Sequence, residues 1–429
     1  MKRYLFSSIL SACLLFVGMS LRADQDANSL RADLDASDQQ KFSLRVDLDV
    51  SALQQFMKVA NAVVLDSLHL SATQEIGYDD NIDETARSHR SGSWFTKTRI
   101  DGDLTRSRDN TSVGLEMGLA YEHYFHKGKN DDTRDFSYHL YPVLNGTYKL
   151  GRNTLMVHML SKYERQELDR SQRTNTMVAI NGIYLGWSTQ LTGKAVLAAT
   201  ADYKNTHYSK NTYSGYNKQV YGINFTPYWN YSARTLLGLN AGIHRTSYNH
   251  PGRNHDNMNR YNFGTYTNYI LNSRTAVFAE VGAEKTSYSK HSISNANYNK
   301  DYDMYFKGGV MYTASEDVAL KLQIEKSKED SWCSGSRGGR VEYSANASAI
   351  WQMTGKLTMT NNLGFVYADE KTSNGDIKEY TYGLLFTYRL RQNMILMAAW
   401  KLRIADYSNR DSYNYVDNEY RLGLTWYIK

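Results

Sequence analysis

Cysteine is nearly absent: Cys13 and Cys333 are the only two in 429 residues. Because Cys13 falls inside an N-terminal leader, Cys333 is a lone thiol and a disulfide framework is excluded. Proline is as scarce, and three prolines with 29 glycines fit a chain that is almost all strand. Long apolar runs are missing after the leader. A mean hydropathy of −0.59 with 22% charged residues therefore excludes a helical membrane protein. No charge sign dominates either. Lys and Arg number 50 against 44 Asp and Glu, interspersed along the whole chain, so the net +6 gives no case for nucleic-acid binding.

Tyrosine is abundant, at 35 residues against 13 Phe and 7 Trp. Rings with a polar tip suit membrane interfaces, where two aromatic girdles surround a barrel. The punctuation of the chain agrees. About every 41 residues a tight polar turn separates two alternating segments. The turns are Arg108-Asp109-Asn110, Gly151-Arg152-Asn153, Thr192-Gly193-Lys194, Ser232-Ala233-Arg234, Asn272-Ser273-Arg274, Ser315-Glu316-Asp317, Thr354-Gly355-Lys356 and Arg391-Gln392-Asn393. Longer polar stretches lie midway between them, such as Lys127 to Arg134, Lys204 to Lys218, Asn249 to Asn259 and Lys290 to Lys300. Short turns alternating with long loops are the pattern of an up-and-down transmembrane β-barrel whose turns face the periplasm.

Within the segments one parity is apolar and the other polar. Val113, Leu115, Met117, Leu119, Tyr121 and Phe125 alternate with Gly114, Glu116, Gly118, Ala120 and Glu122, and Tyr380 to Leu390 repeat the split. A Lys or Arg at the midplane of a lipid face costs roughly 2–4 kcal/mol, so this register is strongly held. Counting alternating runs predicts an all-β, antiparallel barrel of about 18 strands, with both termini periplasmic. Alternation blurs around Thr174 to Trp187, and losing that hairpin would leave 16. Pro142 falls inside a run and predicts a bulge, whereas Pro227 lies nearer a turn.

Three parts are predicted along the chain: a secretory signal peptide over 1–23, an extension over 24–66, and the barrel over 67–429. Lys2 and Arg3 precede an apolar core from Ile9 to Met19, and cleavage fits after Ser20 or Ala23. A lipobox at Leu10-Ser11-Ala12-Cys13 leaves too short an apolar run before its cysteine. In the extension SLRADLDAS at Ser29 to Ser37 recurs as SLRVDLDVS at Ser43 to Ser51, and Ser51 to Leu65 has helical spacing. This segment fits a lumen plug, a periplasmic arm or a linker.

The phrase Gly77-Tyr78-Asp79-Asp80-Asn81-Ile82 at the end of the first strand resembles the opening motif of the β-barrel porin 2 family of Gram-negative outer-membrane proteins. The resemblance implies an outer-membrane location, a barrel from about Leu68 to Lys429, and a cargo the motif does not specify; some members resemble components of exopolysaccharide export. Asp79, Asp80 and Asn81 have the chemistry to hold a divalent cation bridging lipopolysaccharide, but side-chain to backbone bonds starting the first loop are the favoured role. The last strand, with Tyr420, Leu422, Leu424, Trp426 and Ile428 on one parity, resembles the C-terminal signal read by the barrel-assembly machinery, although the chain ends in Lys429.

No nucleophile elbow is present, and Gly335-Ser336-Arg337-Gly338-Gly339 reads as a flexible loop. His250, His255 and Asp256 share a loop without metal-ligand spacing, and His123 fits an interfacial histidine. The expectation is therefore a protein without enzymatic activity, cofactor or metal. The polar parity is rich in charge of both signs and nominates pore-lining residues: Lys97, Arg99, Asp101, Asp103, Glu116, Glu280, Glu284, Lys307, Arg340, Arg389, Lys401, Arg403 and Arg421. They fit a water-filled channel for small hydrophilic solutes or a secreted polysaccharide. A non-conducting barrel that binds or supports surface polymers, with Tyr- and Asn-rich loops, is the second expectation. Partners follow from the location: outer-membrane lipid and lipopolysaccharide, the assembly machinery, and the solutes themselves.

Overall fold

The computed structural model describes residues 67–81, 92–108, 111–125, 136–143, 151–169, 174–209, 215–249, 257–288, 301–330, 339–369, 376–408 and 414–428. The leader, the extension over 24–66, the His250/His255/Asp256 loop and Cys333 lie outside the described residues.

Every described strand pairing is antiparallel, and the sheet closes on itself. The first strand, β1 (Ser67–Asp79), pairs on one side with β2 (Ser93–Arg108) and on the other with β19 (Tyr415–Ile428), from Leu70 opposite Ile428 to Asp79 opposite Glu419. Between them run β3 (Thr111–Tyr124), β4 (Phe136–Val143), β5 (Asn153–Asp169), β6 (Thr174–Gln190), β7 (Ala195–Tyr208), β8 (Lys218–Phe225) and β9 (Tyr228–Ser232). The circuit continues with β10 (Thr235–Tyr248), β11 (Met258–Asn272), β12 (Thr275–Tyr288), β13 (Asp301–Ser315), β14 (Val318–Asp330), β15 (Gly339–Gln352), β16 (Leu357–Asp369), β17 (Ile377–Arg391) and β18 (Met394–Tyr407). Both β8 and β9 lie between β7 and β10, so the 19 segments form 18 staves.

Pro227 explains the broken stave. It interrupts the ladder between Phe225 and Tyr228, because a proline inside a central strand has no N–H to give. Its nearness to a turn did not spare the strand. Pro142 behaves differently from the expected bulge. It stays in register opposite Leu115 of β3, while pairing of β4 with β5 stops at Leu140. The missing donor is thus accommodated on the β5 side. The doubtful hairpin at Thr174 to Trp187 proves continuous: β5 and β6 are 17 residues each and pair along nearly their whole length. Alternation blurs there because the inward parity is apolar too, with Leu160, Val178 and Ile180 clustered with Tyr208 and Tyr216.

Five of the described turns share one construction. The side-chain oxygen of the first residue accepts the amide N–H of the third: Thr192 from Lys194, Ser232 from Arg234, Asn272 from Arg274, Ser315 from Asp317 and Thr354 from Lys356. These oxygens satisfy donors that a tight reversal exposes. Gly151 adopts φ 65°, a left-handed conformation that glycine takes without steric cost. The described turns fall on one rim, together with Ser67 and Ile428.

Candidate functional site: the inward wall and the closing seam

The strand period of two sorts side chains onto two faces. Outward lie large apolar residues with high exposure, such as Ile223 at 64%, Phe263 at 59% and Leu422 at 57%. Aromatic pairs bound this belt near the long-loop rim, including Tyr78 with Trp94 at 5.3 Å, Tyr203 with Tyr221 at 5.1 Å and Tyr382 with Trp400 at 5.2 Å. His123 belongs here, stacked on Tyr121 and edge-on to Phe125. Exposed Trp229, Tyr231, Tyr269, Tyr312, Trp351, Tyr388 and Trp426 mark the other edge, close to the turns. Apolar wall and aromatic margins are what a surface facing hydrocarbon requires.

The opposite register carries the charges. Lys97, Arg99, Asp101 and Asp103 of β2, Glu116 of β3, Glu280 and Glu284 of β12, and Lys307 of β13 all fall on it. So do Lys401 and Arg403 of β18, Arg421 of β19, and Arg389 of β17, which is exposed beside the turn rim. Arg340 shares the register of Glu342, but its side chain lies outside the described residues. These charges pair both along a strand and between neighbouring strands. Arg99 Nε donates to Asp101 at 2.8 Å, Arg403 Nε to Glu379 at 2.9 Å, and Lys162 lies 2.5 Å from Glu164. Arg260 sits 3.3 Å from Glu284 and Lys97 3.8 Å from Glu122. Most inward groups are shielded: Lys307, Glu325 and Glu342 are each under 8% exposed.

Sign is distributed unevenly around the wall. From β12 to β17, away from the turn rim, Glu280, Glu284, Glu325, Glu342 and Glu379 outnumber Lys307 and Lys321 among the described inward residues, while Asp303 is paired with Lys326 at 2.6 Å. Roughly across the barrel, β5 to β8 set Lys162, Lys204 and Lys218 against Glu164 and Asp202. Glu75, Arg260, Glu379, Asp417 and Glu419 were not among the residues nominated from sequence. The same parity rule reaches them: Glu379 alternates with outward Tyr380, and Glu75 with outward Ile76.

The seam between β1 and β19 gives the Gly77-Tyr78-Asp79-Asp80-Asn81 phrase its structural meaning. Asp80 accepts both the backbone N–H of Asn418 at 2.7 Å and its side-chain N–H at 2.9 Å, and its own N–H donates to the Asn418 carbonyl at 3.0 Å. Asn81 Nδ2 donates to the Val416 carbonyl at 3.0 Å, while its backbone N–H bonds Asp79 at 2.8 Å. Trp400 Nε1 reaches the remaining oxygen of Asn418 at 3.3 Å. Deeper in the seam Thr73 and Thr425 share a hydrogen bond of 2.9 Å.

Gly77 completes the seam by leaving space. A Cβ there would lie 2.3 Å from the Phe95 ring, which crosses over β1 fully buried, with the Arg421 guanidinium 5.6 Å above its centre. Arg421 also bonds Glu419 and lies 3.8 Å from Glu75. Desolvated Arg over an aromatic face, with carboxylates at its edges, is a favourable charge-assisted arrangement. Asp79, Asp80 and Asp417 bring carboxylate oxygens within 4.8 Å of one another, yet both Asp80 oxygens and one of Asp79 already accept N–H donors. The phrase thus combines the side-chain to backbone bond expected at the start of the loop, Asp79 accepting from Asn81, with bonds from Asp80 and Asn81 that close the sheet.

A closed antiparallel β-barrel of 18 staves with an apolar exterior and a charged interior defines the class of fold. No protein-family model matches the chain, so the family suggested by its Gly77 to Ile82 phrase is not shown, and no curated protein matches it either. Among solved structures the chain is similar to OccAB2 of Acinetobacter baumannii, at 11% identity and TM-score 0.47 over 85% of this chain and 98% of that one. It is similar to a BenF-like porin from Pseudomonas fluorescens Pf-5 at 10% identity and TM-score 0.47, covering 85% and 100%. A third is Pseudomonas aeruginosa OpdK with vanillate, at 11% identity and TM-score 0.47 over 85% and 99%. At these identities the likeness concerns fold alone.

Proposed function

We propose that this protein is an outer-membrane channel through which small hydrophilic solutes diffuse passively, with its turn rim and both barrel ends in the periplasm. The observation that carries the reading is the split of one closed sheet into an apolar outward face and an inward face with paired charges of both signs. A perimeter of 18 staves at ~4.8 Å spacing and ~40° tilt gives a backbone radius of roughly 18 Å, more than side chains alone fill. Charged walls lower the barrier for polar solutes, and their sign selects among ions. The acidic arc on β12 to β17 favours cations. A secreted polysaccharide, the other cargo expected from sequence, finds no separate support among the described residues.

The test is single-channel recording in planar bilayers, with the chain lacking its leader and with 24–65 also removed. Steps in the first form support an open pore, and steps only after truncation support a plug formed by the extension. Absence of steps in both refutes the channel and favours a binding or structural barrel. In a KCl gradient the reversal potential should show cation preference, moving toward zero in Glu280→Gln/Glu325→Gln/Glu342→Gln.

A further inference from the structure

The turn rim carries a ring of cations that lumen chemistry does not use. Arg152, Lys194, Arg234, Arg274, Lys356 and Arg391 stand one to a turn, and all are exposed. In four of them the basic residue occupies the same third position, its amide held by the Ser, Thr or Asn oxygen that begins the turn. The carbonyl of that residue in turn accepts the N–H of the next stave: Lys194 from Asn230, Arg234 from Ile270, Arg274 from Thr313 and Lys356 from Arg389, each at 2.8 Å. Each of these four turns is therefore locked to its neighbour's strand, and six cations on a perimeter of roughly 113 Å present about one positive charge per 19 Å. Only the turn at Glu316 and Asp317 breaks the series among the described turns.

We propose that this ring binds the phosphate groups of anionic phospholipids in the leaflet that meets the turn rim. The inference rests on placing the barrel in a bilayer. Position favours lipid as the occupant: the outward belt beside the ring is edged by exposed Trp229, Tyr231, Tyr269, Trp351 and Trp426. Such rings settle at the headgroup level, which sets the turn cations beside the phosphates. Extent favours it as well. The described cations run from the β5 side to β18, about two thirds of the circle, an arc that a lipid annulus meets along its whole length and a docked protein meets in one sector. Arg152 and Arg274 each spend one N–H on a carbonyl of the adjoining hairpin, Leu191 at 3.2 Å and Ala314 at 3.3 Å. A guanidinium has five donors, so the remainder are available to phosphate oxygens.

The experiment uses the full chain in phosphatidylcholine vesicles, scoring insertion first by the heat-shifted migration of a folded barrel. Tryptophan quenching by brominated phosphatidylglycerol is then compared with quenching by brominated phosphatidylcholine. A basic residue at an anionic surface contributes about 1 kcal/mol, so roughly a fivefold preference for phosphatidylglycerol is expected in low salt, shrinking in high salt. In Lys194→Gln/Arg234→Gln/Arg274→Gln/Lys356→Gln the preference should fall toward one, and in Glu316→Gln/Asp317→Lys it should rise. Failure to insert overturns the bilayer placement and the proposal with it. Insertion with equal quenching by the two lipids, or a preference that survives the fourfold neutralisation, overturns the lipid proposal alone and leaves the ring to an acidic periplasmic protein.

Discussion

Replacing Gly77 by alanine adds one methyl group where the structure has no room for it. The new Cβ would meet the Phe95 ring at 2.3 and 2.6 Å and the Tyr420 carbonyl oxygen at 2.6 Å. The ring could rotate away, but the carbonyl belongs to the paired β19 backbone and retreats only by loosening the seam. Displacing Phe95 surrenders the burial of a phenyl group, about 1.5–3 kcal/mol. Residual overpacking against the backbone adds about 1–3 kcal/mol. A loss near 3 kcal/mol is therefore expected, large for a change of one methyl group. Unfolding midpoints of the folded barrel in urea, followed by heat-shifted migration, would measure it. The double variant Gly77→Ala/Phe95→Ala should lose less than the sum of its singles, because removing the ring removes much of the clash. If Gly77→Ala unfolds within about 0.5 kcal/mol of the parent, as an unconstrained surface change does, the account of the seam is refuted.

Asp80→Ala removes two bonds to Asn418 from a partly exposed site, and a loss of about 1–2 kcal/mol is expected, below the full value of buried charged hydrogen bonds. Amide exchange should quicken at Val416 to Asn418 and stay unchanged on β10 to β12; uniform quickening would contradict a local role. Arg421→Ala leaves Glu75 and Glu419 shielded without their cation, at a cost of roughly 3–5 kcal/mol in unfolding midpoint. Arg421→Lys should recover only part of that, since an ammonium lacks the planar fork that meets Phe95 and the carboxylates together.

Local features of the sequence carried most of the architecture. A turn such as Ser232-Ala233-Arg234 is legible because the oxygen and the amide it satisfies are two residues apart. Parity is equally local, which is why Lys97 through Asp103 were placed on the charged register from their own strand. Legibility ended where the decisive partner is distant or where both faces share one polarity. Asp80 meets Asn418 across 338 positions, so the closing role of its phrase was hidden, whereas the Asp79 to Asn81 bond that opens the loop is local and was expected. Val178 and Ile180 are apolar and inward, so β6 concealed its own alternation. Pro227 was misjudged because closeness to a turn says nothing about whether both flanks of a strand are hydrogen-bonded.

The lock on Asn418 also has a consequence in time. The strand it fastens to β1 is the last of the circuit, and closing a sheet through pairings this remote is the slowest kind of contact to form. Until the 14 residues of β19 arrive, β1 presents a bare edge with Asp80 and Asn81 unengaged. Such an edge invites pairing with other chains. A chain interrupted before Val416 would thus keep a persistent template for aggregation, whereas a finished one extinguishes it in a single zipper step. The phrase at the start of the barrel acts as a test of whether its end has been made.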